Sequence, residues 1–252
     1  MDDDAKELMK VGAEAAMKPF ASLMDKLFGG VAEQIGGSWE DRAKMRRAVN
    51  FLKGMKKLHA TIETLHIPAQ PIADNIWIPA VEAMSLTSDE TLQIGWANLL
   101  ANAADPIGAP VRAIFTSFLR DLGTREVVFL DGMWGHAKSR ATNSPHNQPS
   151  QVIYKLEDLQ DNYVAFGLSK VRRLHSIELS EQNDPELPKE SERFWMMLDI
   201  IQRHNIIRDA TVEGKQLKGQ VSARERDQIV RRYHFSDLGF AFVRACRPPE
   251  RR

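Results

Sequence analysis

Apolar residues recur every three or four positions through most of the first two-thirds of this chain, and that spacing commits the backbone to helix. The clearest run lies at 39–65. There Met45, Ala48, Leu52, Met55 and Ile62 alternate by threes and fours, and Val49, Leu58 and Leu65 widen the stripe. An earlier run at 5–28 carries Leu8, Val11, Ala15, Phe20, Leu23 and Leu27, with Pro19 imposing a kink or a break. After Pro68 and Pro71 a buried helix is expected over 72–83, with Ile76, Trp77, Ile78, Ala80, Val81 and Met84. Thr87-Ser88-Asp89-Glu90 then has the form of a capping box, with Thr87 as N-cap and Glu90 reaching back. The helix it opens runs through Leu92, Trp96, Leu99 and Ala103, and Asp105-Pro106 ends it. Further apolar stretches follow at 111–122 and 125–134.

The expected fold is therefore mainly α: an N-terminal helical bundle over 1–122, then a winged-helix-like C-terminal module with a small β-hairpin over 123–252. Within that module Phe194, Met197, Leu198 and Ile201 mark a helix ending near His204. A turn-rich segment surrounds Gly214 and Gly219, residues 231–235 read as a strand, and Ser236 is a natural N-cap for a last helix. Polar stretches at 137–151 and 181–190 read as loops.

The 252 residues balance 34 lysines and arginines against 34 acids, so no global field selects nucleic acid or membrane. The balance is uneven along the chain. Residues 1–40 and 67–131 are acidic, whereas 41–66 and 193–252 are basic. Arg42, Arg46, Lys53 and Lys57 fall within about 60° on a helical wheel and form a line suited to phosphate or to an acidic protein surface. A second basic group, Arg224, Arg226, Arg231 and Arg232, crowds the expected wing.

Signatures of catalysis are missing. The chain has no phosphate-binding glycine loop, no dinucleotide fingerprint, no H-E-x-x-H and no G-x-S-x-G. Its histidines never stand three or four apart, which excludes a helical pair of zinc ligands. The single cysteine, Cys246, excludes an internal disulfide and reads as a packed thiol. No apolar run nears the roughly 20 residues of a membrane-spanning helix, and Asp2, Asp3 and Asp4 are opposite in sign to an export leader. The chain is expected to be cytoplasmic, to use no cofactor or metal, and not to be an enzyme.

One feature is unusual for a purely apolar helix. Asn98 and Asn102 share a face beside the stripe that contains Trp96, with Glu82 just upstream. Asparagine is a mediocre helix former, so a buried polar network joining Glu82, Asn98 and Asn102, with Trp96 packed alongside, is expected. A ligand or partner site is the alternative.

Pro79-Ala80-Val81-Glu82-Ala83, then Leu92-Gln93-x-x-Trp96-Ala97-Asn98-Leu99-Leu100-Ala101-Asn102-Ala103 and Asp105-Pro106, resemble the Abi-alpha family of bacterial proteins. Lys18-Pro19, the basic helix after Trp39, Leu119-x-x-Leu122 and the closing Tyr233-His234-Phe235-Ser236-Asp237-Leu238-Gly239 fit the same family. The resemblance implies a part in abortive infection, a phage defence in which the infected cell stops growing or dies before the virus matures. It carries no catalytic residues with it. The expected function is thus a defence protein acting through contacts with a protein partner, alone or as an oligomer. A winged-helix DNA-binding regulator is one alternative. A membrane-active effector working through residues 8–35 is the other, with those N-terminal helices lying at the interface.

Overall fold

The computed structural model describes residues 22–23, 42–142, 152–169, 187–209 and 232–250. Eight helices and a three-stranded antiparallel sheet make up the regular structure among them, so the fold is mainly α. The chain divides into two compact units. One holds the residues up to Thr124 together with those from Arg244 onward, and the other is Arg125–Val243. The division therefore falls two residues after the boundary at 122, and the closing residues group with the first unit.

In the first unit α1 (Arg42–Thr64) lies along α2 (Asp74–Leu86) and α3 (Glu90–Ala104), and α4 (Ile114–Asp121) packs on α2 and α3. Of the stripe expected on α1, Ala48, Val49, Leu52, Met55, Leu58 and Ile62 are buried, Leu65 is half-buried just past the helix, and the Met45 side chain lies outside what the structure describes. Three of the four residues at the start of α3 play other parts than those expected. Asp89 is the N-cap, its carboxylate accepting from the Leu92 amide at 3.0 Å. The Thr87 hydroxyl instead donates back to the Ala83 carbonyl at 2.8 Å, closing α2, and Glu90 pairs with Lys57. A carboxylate one step from the helix accepts from the amides and also meets the positive end of the dipole, so it displaces the hydroxyl. The helix expected over 72–83 runs instead over Asp74–Leu86, and Ile78, expected to be buried, is exposed.

The second unit begins its helices with α5 (Thr124–Thr142) and continues with β1 (Tyr154–Lys155), α6 (Leu156–Ala165) and α7 (Leu187–Arg203). Then come β2 (Ile207–Asp209), β3 (Arg232–Phe235) and α8 (Asp237–Ala245). The strand order is β1-β3-β2, with Tyr154 opposite Tyr233 and Ile207 opposite Phe235. Aromatic rings dominate its core, including Tyr163 set edge-on to Phe194 at 5.4 Å between centroids.

Two expected loops are shorter than their composition suggested. Residues 137–142 continue α5, because Ala137 is buried and its neighbours are good helix formers. Residues 187–190 belong to α7, where Glu190 is buried in the first turn. Residues 143–151 and 181–186 lie outside the described residues, as do the helices expected over 5–28 (Ser22 and Leu23 apart) and the turn around Gly214 and Gly219. The short strand β1 had no sequence signal, since two residues cannot show a period.

Three helices stop in the same way. After α1, α6 and α7, a residue with positive φ follows the cap: His66 at 49°, Gly167 at 72° and Asn205 at 55°. In each case the next amide reaches back five residues, as Ile67 to Ile62, Leu168 to Tyr163 and Ile206 to Ile201. The paired inner bond is also made, so all three are Schellman motifs that satisfy carbonyls left over at a helix end. Ser236 caps α8, accepting from the Gly239 amide at 2.8 Å and donating to the Asn205 carbonyl. Gly239 lies so close to the Ile206 backbone that no Cβ fits there.

Two stability effects of opposite sign follow. Exchanging His66→Gly removes left-handed strain and should raise stability by about 1 kcal/mol. Gly239→Ala pushes a methyl into backbone that cannot yield and should lower stability by about 2–3 kcal/mol. Denaturant melts of the full chain measure both.

Candidate functional site

From Gln93 to Asn102 every residue of α3 except Ile94 is buried, because α1, α2 and α4 pack around it. A polar side chain on such a helix must find a protein partner. Gln93 donates to the Asn50 carbonyl on α1 at 3.0 Å and to the Thr87 carbonyl at 2.7 Å. Asn50 in turn donates to the Ser85 carbonyl at 3.1 Å, and Arg47 reaches the Ser85 hydroxyl.

Asn98 and Asn102, only 4% and 3% exposed, grip the end of the chain. The Asn98 amide donates to the Cys246 carbonyl at 3.1 Å. Asn102 Nδ2 lies 3.0 Å from the Ala245 carbonyl, 2.8 Å from that of Arg247 and 3.0 Å from that of Asn98. Its Oδ1 accepts from the Ala109 amide at 2.9 Å. Carbonyls at a helix C-terminus lack intrahelical donors, and these two side chains supply them where α8 ends.

The expected network is thus present in its asparagines and in buried Trp96, but not in Glu82. Glu82 is exposed on α2, and the acceptors come instead from the C-terminal backbone. Cys246 sits in the gripped segment, and burial pushes its thiol pKa up, so the sulfur stays protonated and is a poor nucleophile.

The basic line of α1 is only partly available to a partner. Arg46 is exposed and Lys53 half-buried, while Lys57 Nζ is 2.9 Å from Glu90 Oε1. The side chain of Arg42 lies outside what the structure describes. That hydrogen bond and the charge of Lys57 hold the Glu90 carboxyl below its ordinary pKa. Of the wing group, Arg232 is half-buried on β3 opposite Lys155. Arg224, Arg226 and Arg231 are outside the described residues, as is nearly all of 8–35.

One cluster in the second unit had escaped notice. Glu190 is buried on α7 and bonded to Arg193, with Arg125 of α5 3.9 Å from its other oxygen. Arg125 also donates to the Tyr163 hydroxyl at 2.8 Å, and burial raises the Tyr163 pKa. The Glu190-x-x-Arg193 spacing was its only trace in the sequence.

A family model described as abortive infection alpha matches residues 46–246, most of the chain. The chain belongs to the abortive infection alpha family. Searches of curated proteins and of solved structures gave no match. The matched span takes in all of α2 to α8, with both asparagines and the Ala245 and Cys246 carbonyls they hold, while the Arg247 carbonyl lies one residue beyond it. Among the described residues, no helix is long and apolar enough to cross a membrane.

The asparagine pair should behave as a structural clamp. Asn98→Ala removes one neutral bond and should cost about 1 kcal/mol, whereas Asn102→Ala strips several buried partners and should cost about 2–3 kcal/mol. Asn102→Asp should be worse than Ala at neutral pH, because a carboxylate would face carbonyl oxygens. Thermal melts rank the three. A separate titration tests Lys57→Gln, which should raise the Glu90 pKa as followed by carboxyl carbon NMR. Because the native Glu90 pKa is depressed, the pair's stabilisation is present above the unfolded pKa and is lost as pH falls through the folded one.

Proposed function

We propose that this protein is an abortive-infection defence protein that acts through contacts with another protein rather than through catalysis. The family match carries the defence part of the reading. The outer face of α7 carries the part about protein contacts.

In this reading the second unit is a winged helix. The order α5, β1, α6, α7, β2, β3 with sheet order β1-β3-β2 is what such a module requires, and α7 takes the place of the recognition helix. A DNA reader needs Arg, Lys, Asn or Gln there, aimed at base edges. The exposed residues described on α7 are Lys189, Glu192, Arg193, Trp195, Met196, Asp199 and Arg203, but Arg193 is held by Glu190 and Arg203 by Asp199 at 2.7 Å, so two of the three bases are already paired within the helix. Acids facing a phosphate backbone oppose binding, whereas an exposed tryptophan and methionine favour a protein surface.

The defence reading is tested by plating a broad phage panel on cells with and without the gene. Reduced plating of at least one phage is expected with it, and equal plating throughout would overturn the reading. DNA binding, the second reading, rests on the same element order. A gel shift at roughly 0.1 M salt tests it, since phosphate-driven binding weakens steeply as salt is added. No shift is expected.

A further inference from the structure

We propose that the outer ridge of the α2–α3 hairpin docks an amphipathic helix of a partner protein whose apolar residues are interleaved with lysine or arginine. On α2 the residues Asp74, Ile78, Glu82 and Leu86 stand four apart, and all four are exposed. On α3, beyond the non-helical connection at 87–89, Glu90 and Ile94 again stand four apart and are both exposed. Acid and apolar residue thus alternate along both helices. Ile78, Leu86 and Ile94 keep 50%, 62% and 45% of their surface in contact with solvent.

Residues four apart on a helix form the ridge that packs into the grooves of a second helix. A solvated ridge would be polar throughout, yet every second position here is isoleucine or leucine. The short connection through Thr87 and Asp89 places Leu86 and Glu90 at the same end of the hairpin. The charges on the hairpin are all of one sign. Residues 74–104 contain Asp74, Glu82, Asp89 and Glu90 and no lysine, arginine or histidine. Lys57 already answers Glu90 from within the protein, and it shows the sign of charge this surface accepts. A helix with leucine-like residues and basic residues at four-residue steps meets both demands, apolar against apolar and ammonium or guanidinium against carboxylate.

The inference rests on the protein-contact reading, and its test separates the two. Full-length protein is titrated with a fluorescein-labelled model helix of leucine and lysine at four-residue steps, and with its glutamate-for-lysine counterpart. The leucine–lysine helix should bind saturably and the glutamate version should not. Leu86→Ser with Ile94→Ser, and separately Glu82→Lys, should each weaken binding about tenfold while melting at the wild-type temperature. Ile153→Ser, an exposed position on the other unit, should bind as wild type does. Equal binding by all variants, or by both peptides, would overturn the proposal. So would a wild-type dimer in sedimentation that the double substitution dissolves, because the occupant would then be a second copy. Plating completes the separation. If the gene gives no protection at all, the defence reading fails. If wild type protects and the well-folded double variant protects equally, only the docking surface fails.

Discussion

The near-complete burial of α3 governs the first unit. A helix enclosed by three neighbours has no water to offer a polar side chain, and an unsatisfied buried amide costs about 1–3 kcal/mol. Gln93, Asn98 and Asn102 avoid that penalty by bonding carbonyls on other segments. Those on Thr87, Ala245, Cys246 and Arg247 lie at helix ends or beyond them, where the backbone has acceptors to spare. The amides on α3 and the loose carbonyls around it solve each other's problem, so α3 also organises the turn that follows α8.

Helix ends set the geometry of the second unit as well. The left-handed Asn205 turns the chain sharply out of α7, and its carbonyl then accepts from the Ser236 hydroxyl that caps α8. Gly239 packs directly on Ile206 in the same corner. Two helix termini and two strands meet within a few residues, which fixes β2 and β3 as neighbours whatever lies between them in sequence. The buried Glu190 acts on the other side of α7. Arg193 and Arg125, both partly exposed, answer its charge, which could not stand alone in the interior.

Much of this was legible in the sequence wherever a period could accumulate. The stripe of α1, the span of α3 and its end at Asp105, the α7 residues Phe194 to Ile201, and Ser236 as cap all follow from spacing and side-chain type. The asparagine pair was legible as a polar network but its partners were not, because Cys246 lies 148 residues from Asn98 and backbone carbonyls carry no sequence signal. Glu82 was the nearest polar group along the chain, and nearness along the chain misled. Asp89 and Thr87 show a different limit: both can cap, and only the backbone path decides which one does. The loops at 137–151 and 181–190 were drawn from polarity, although alanine, lysine and arginine are helix formers as much as surface residues.

The sorting of charge along the chain now has a physical interpretation. Net charge is zero, yet α1 is rich in bases while α2 and α3 have acids alone. Helix ends account for part of it: Asp89 is the N-cap of α3, and Asp74 and Glu90 stand in first turns, where a carboxylate meets the positive end of the dipole. Asp74 also accepts from the Trp77 indole N–H at 3.0 Å, which leaves exposed Glu82 as the acid with neither role. What single-sign faces do produce is a local potential that survives a neutral total and acts over roughly a Debye length of 8–10 Å at physiological salt. Such a potential steers and orients whatever approaches. Bases are absent from this helical hairpin and its exposed isoleucines and leucine are spaced between acids, so the acidic potential and the exposed apolar groups fall on the same stretch of chain.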